Sequence, residues 1–122
     1  MKAFLSALAL FVLLVCIAFF TSFSLTKQAE QLEAQAAKLE DIPTTMRKSA
    51  TMAMKSAWEE KHFWFSMTIN HNEMDEIDDI IARLRMAEKI KDDDDFLIAV
   101  SELTAALAHI KDLGAVSWDN IL

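Results

Sequence analysis

Six side chains able to ligate a metal or move a proton fall within nine positions: His71, Glu73, Asp75, Glu76, Asp78 and Asp79. On a helix, His71 and Asp75 share a face at a spacing of four, as do Asp75 and Asp79. Imidazole suits zinc, and carboxylate oxygens suit calcium or magnesium. His71, Asp75 and Asp79 are therefore the candidate metal ligands. They do not form an EF-hand loop, which needs a central glycine and a closing glutamate. The same acids lie opposite Met74, Ile77 and Ile81, and the solvated side of an amphipathic helix accounts for them more simply. No metal and no cofactor is assigned.

Glu59 and His62 have the Glu-x-x-His spacing of carboxylate-bridged di-metal bundles, but those sites use two such motifs and two further glutamates on facing helices. Three residues before His109 stands Ala106, so the second motif is missing. His109 suits the carboxyl end of the last helix, where the dipole favours a cation. Ser49, Ser56, Ser66, Ser101 and Ser117 lack a histidine and carboxylate arranged for nucleophilic catalysis. With Gly114 the only glycine, a glycine-rich phosphate loop is excluded. The expectation is a protein with no catalytic residues and no enzymatic activity.

The elements that would have to position any of these residues are helices. One glycine and one proline in 122 residues, among many Ala, Leu, Met, Glu and Lys, leave few turn signals and favour an all-α fold. The 23 residues from Ala3 to Leu25 carry no charge. As a helix they would reach about 35 Å, enough to cross roughly 30 Å of hydrocarbon. Residues 1–25 are read as a transmembrane anchor and residues 26–122 as an extracytoplasmic helical domain. A cleaved secretion signal shares the positive end and the apolar run, although its apolar core is usually shorter. Ser22 and Ser24 stand at a spacing a signal peptidase accepts, which leaves cleavage open as the alternative. Cys16 follows Val15, a poor fit to a lipoprotein signal, and reads as a plain cysteine within the membrane.

Charge sets the expected orientation. Lys2 lies on one side of the segment, while Glu30, Glu33, Glu40 and Asp41 outnumber Lys27 and Lys38 on the other. Basic residues favour the cytoplasmic side, so the amino terminus is expected inside and the domain outside. A net charge of −7 argues against nucleic-acid binding, which needs clustered Lys and Arg. A single cysteine excludes an internal disulfide.

In the exterior part, Leu25, Gln28, Leu32, Ala36 and Leu39 recur at helical spacing up to the break at Asp41-Ile42-Pro43. Asp41 could accept hydrogen bonds from the free amides that follow. Beyond it, Ala50, Ala53, Met54, Ala57, Trp58 and Trp64 form one face, and Phe63, Met67, Asn70, Met74, Ile77, Ile81 and Leu84 form a stripe that stays in phase through Asn70. The pattern predicts helices over about 26–40, 44–90 and 94–113. The long central helix would pack the first neighbour on its first half and the last on its second. The aspartates at 92–95 suit a turn and a helix start, and Gly114 a stop.

Trp58, Phe63, Trp64, Phe65 and Met67 point in several directions, as in a helix covered on more than one side. Together with Trp118 in the apolar tail, they are the predicted packing and interaction residues. Replacing Trp64 by alanine is expected to cost several kcal/mol.

Trp58, Trp64, Asn70-His71-x-Glu73, the stretch from Asp75 to Leu84, Leu103, Ile110 and the closing Ser117-x-x-Asn120-Ile121-Leu122 carry a likeness. In them the chain resembles an uncharacterised bacterial family, a domain of unknown function found mainly in spore-forming Gram-positive bacteria. Trp118 departs from it, being bulkier than the expected aliphatic residue. The resemblance implies short, amino-terminally anchored helical proteins in a Gram-positive cell membrane, and no substrate or cofactor. The function expected is a membrane-anchored scaffold or accessory protein whose partners are the bilayer and another envelope protein or a second copy. The alternative is a divalent-metal-responsive module at His71 and Asp75.

Overall fold

The computed structural model describes the backbone of residues 1–121, and the side chains of these except Ser22 and residues 114–121. Four α-helices follow one another: α1 (Lys2–Lys38), α2 (Arg47–Ser66), α3 (His71–Lys89) and α4 (Asp93–Ile121). No strand occurs among the described residues. The fold is an all-α bundle with a long amino-terminal helix.

α1 has two regimes that follow its sequence. No described side chain before Leu25 is buried, and Phe4, Phe11, Phe20 and Phe23 stand exposed. This is one helix long and apolar enough to cross a membrane. From Leu25 onward the same helix joins the bundle, burying Leu25, Ala29, Leu32, Ala36 and Leu39. Ala29 and Ala36 place small residues on that face, and α4 is its principal neighbour. A 3-10 turn over Leu39–Asp41 and another over Thr44–Met46 reverse the chain around an extended Ile42 and Pro43. Asp41 caps neither turn; the Met46 amide bonds the Pro43 carbonyl instead.

The expected continuous helix over 44–90 is broken. α2 ends at Ser66, and α3 begins after Asn70, whose Oδ1 accepts the Asn72 amide at 3.0 Å. At the end of α2, Ser66 and Thr68 hydroxyls donate to the Phe63, Trp64 and Phe65 carbonyls. Such short polar side chains compete with the helix for its own backbone. The larger reason is tertiary. A hairpin brings Met54 and Trp58 of α2 and the buried row Met74, Ile77, Ile81 and Leu84 of α3 into one core shared with α1 and α4. A straight rod of about 70 Å would leave much of both rows without cover.

Packing is corrected accordingly. α4 lies along both α1 and α3 rather than on α3 alone. It buries Phe96, Ala99, Val100, Leu103, Leu107 and Ile110 as its periodicity requires. Asp92 starts it, its Oδ1 accepting the Asp95 amide at 3.1 Å, and three aspartates fill its first turn, where the dipole favours them. Gly114 does not stop it: the helix runs on to Ile121, since a helical glycine costs only about 1 kcal/mol. The docking of residues 117–122 and the packing of Trp118 lie outside the described side chains.

Candidate functional site

The acidic cluster on α3 is dispersed by the helix rather than gathered. His71, Asp75 and Asp79 are all exposed, and no three His, Cys, Asp or Glu side chains converge among the described residues. Its most consequential member is Asp78. The Trp58 indole donates to Asp78 Oδ1 at 2.7 Å, and His62 Nε2 lies 3.5 Å from Oδ2. One carboxylate thus latches two side chains of α2 onto α3. Glu59 turns away to Lys55 at 3.4 Å, which separates the Glu-x-x-His pair. Because α4 extends twelve residues past His109, that histidine is not in the last turn. It pairs with Glu73 at 3.1 Å across to α3. Cross-helix ion pairs also join Arg83 to Glu102 at 2.7 Å and Lys111 to Glu33 at 3.0 Å. The Glu33 hydrogen bond raises the Lys111 ammonium above the ordinary lysine value of 10.5, with Coulombic attraction from Glu33 adding to it.

The apolar set expected to act together is divided. Trp58 and Phe65 are fully buried and stack on each other with ring centroids 5.6 Å apart. Trp64 is half-buried, so the large cost expected for its loss falls on Trp58 instead. Phe63 and Met67 are exposed. The helix break turns them off the stripe they share with Met74, and no periodicity in the sequence distinguishes them from core residues.

The opposite end of the α2–α3 hairpin holds a surface the sequence did not single out. A cleft of about 640 Å3 is lined by Lys48, Thr51, Met52, Arg85, Met86, Lys89 and Lys91, with Glu88 the one acid on its wall among the described residues. Lys48, Arg85, Lys89 and Lys91 have no ion pair among the described residues. The Thr51 hydroxyl, buried at the cleft wall, also lacks a partner there. Around Met86 the surface continues into a smaller depression with Ile90 and Ile98, both exposed. Lys91 has a positive φ of 58°. It occupies the left-handed position that closes α3, with its amide on Glu88 and the Asp92 amide on Ala87. Glycine usually fills that place; here it carries a cation. Below, Arg47 pairs with Asp93 and lies over the Phe96 ring, 4.4 Å from its centroid.

Residues 19–121 match the family model described as Domain of unknown function (DUF4363). The chain belongs to the DUF4363 family. The match begins inside the exposed apolar part of α1 and runs through all four helices. The family unit therefore includes the junction between apolar segment and bundle, as well as the Asp78 latch and the basic cleft. No curated protein and no solved structure gives a significant match to the chain.

Proposed function

We propose that this DUF4363 protein is a single-pass membrane protein whose bundle serves as a non-enzymatic docking or accessory module at the cell envelope. The amino end is cytoplasmic and the bundle lies outside. Lys2 and the acid-rich turns after Leu25 support that orientation. The likeness to short, amino-terminally anchored proteins of spore-forming Gram-positive bacteria supports an anchored helical protein of the cell membrane.

One observation carries the reading. The helix that holds the unburied apolar segment continues without a break into the bundle, and the far end of the bundle displays Met86, Ile90 and Ile98 beside four cations that have no ion pair among the described residues. From Leu25 to the turn at Asp41 the helix rises about 25 Å, so that surface is held well clear of lipid. Apolar side chains rimmed by charge are the ordinary composition of a protein interface. On a molecule of net charge −7, the rim selects a partner with carboxylates around an apolar ridge.

A photo-crosslinking residue at Ile90 or Ile98, in the intact protein in its native membrane, is the test. The expected product is one discrete adduct, weakened when Arg85→Glu and Lys89→Glu are added. A chain that stays solitary at physiological expression overturns the docking role. Protease protection of the carboxyl-terminal part in sealed cells overturns the orientation.

A further inference from the structure

The α2–α3 tip differs from the rest of this acidic bundle. From Phe63 to Asn72 run ten residues with no Asp, Glu, Lys or Arg, the longest such run after the apolar segment of α1. The tip carries the most exposed large apolar side chain of the bundle among the described residues, Phe63 at 74%, with Met67 beside it at 60%. Phe65 and Ile69, between and after them, turn inward to the core.

Cross-helix contacts fix its height along α1. Lys61 Nζ donates to Gln31 Oε1 at 3.3 Å. Because α2 runs back along α1, the five residues beyond Lys61 carry it about 7 Å further toward the apolar segment. That brings Ser66 near the level of Thr26. A second route passes through α4: Glu73 pairs with His109, and Lys111 pairs with Glu33. The start of α3 therefore sits close to Glu33, about 12 Å from Leu25 along the helix. The two routes bracket the tip between about 2 and 12 Å beyond the end of the uncharged segment. The polar interfacial layer extends about 5–7 Å beyond the hydrocarbon on each side.

We propose that the α2–α3 tip is a second lipid contact, with Phe63 and Met67 seated at the headgroup–acyl boundary of the bilayer that α1 crosses. The inference rests on α1 being that anchor. Phenylalanine and other large apolar side chains of interfacial helices bury at this boundary. The uncharged run removes the repulsion that the other faces of the bundle would meet at anionic headgroups. Because α1 already tethers the tip, its insertion is intramolecular and needs little intrinsic affinity. Two contacts fix the tilt of the bundle, where one helix alone would leave it free to rotate, and they aim the basic, apolar far end away from the membrane.

The test uses the intact protein in phosphatidylcholine–phosphatidylglycerol vesicles, with bimane on a single cysteine. Thr68→Cys, in a Cys16→Ala background, reports the tip with Phe63 and Met67 in place. Met86→Cys reports the far end, and the native Cys16 reports the anchor. Doxyl lipids are expected to quench position 68 several-fold more than position 86, and Phe63→Ser with Met67→Ser should erase the difference without changing helicity. Equal quenching at 68 and 86, with Cys16 quenched by lipid, overturns the tip contact and leaves the anchor standing. Absence of lipid quenching at Cys16 overturns the anchor and the tip contact with it. Shielding of position 68 from aqueous iodide without doxyl quenching marks a protein on the tip and also overturns the lipid assignment.

Discussion

Replacing Asp78 by alanine is expected to destabilise the bundle by about 1.5–2.5 kcal/mol, which is large for a residue whose side chain is 46% exposed. The reason lies in its partner. Trp58 is 1% exposed, and its indole N–H reaches Asp78 at 2.7 Å. Without the carboxylate, a donor on a buried ring is left unpaired, and desolvating it costs about 1–3 kcal/mol. The His62 contact at 3.5 Å adds little, because both groups are solvated. Removing the donor instead has a different profile. Trp58→Phe gives up part of the indole's burial, about 1–2 kcal/mol, but the freed Asp78 can hydrate. The double variant should therefore cost no more than Trp58→Phe alone, within about 0.5 kcal/mol, giving a coupling near ~2 kcal/mol. Urea titration of the intact protein in neutral detergent micelles, followed by far-UV circular dichroism, measures all three. If Asp78→Ala costs no more than Asp79→Ala, within about 0.5 kcal/mol, the latch contributes nothing and the reasoning fails.

Three further outcomes are expected. Phe96→Ala should cost about 3–5 kcal/mol, Trp64→Ala clearly less and Phe63→Ala under about 0.5 kcal/mol in the same titrations, following burial rather than size. Lys91→Gly should raise stability by about 0.5–1 kcal/mol, since glycine takes the left-handed conformation at the end of α3 without the Cβ clash; a fall in melting temperature would contradict that geometry. The Lys111–Glu33 pair should stabilise the wild type over Lys111→Met fully below the ordinary lysine value of 10.5. The advantage should disappear as pH rises through the raised value, and an advantage growing with alkalinity would refute the pairing.

The two ends of the molecule came from the sequence in different degrees. The anchor candidate, the face Leu25, Leu32, Ala36 and Leu39, and the face from Phe96 to Ile110 were readable because each is a local property: hydropathy over consecutive residues, or a period of 3.6 along one helix. The aspartate start of α4 was readable for the same reason, since capping acts within one turn. Neither the Asp78 latch nor the basic cleft was visible. Asp78 looks like any other acid on a solvated face, and Lys48 and Lys89 are 41 positions apart. Only the antiparallel hairpin brings such residues to one place.

What this sequence determined by itself is a helical chain with one uncharged segment long enough for a bilayer, because side-chain transfer and backbone periodicity are summed locally. The tertiary structure alone decided that residues 44–90 fold in two. The apolar stripe stays in register through Asn70, so a rod and a hairpin satisfy the same pattern; they differ in whether Trp58 and the Met74–Leu84 row find cover. That choice puts Phe63 and Met67 on the tip nearest the apolar segment and Met86 and Ile90 on the end farthest from it.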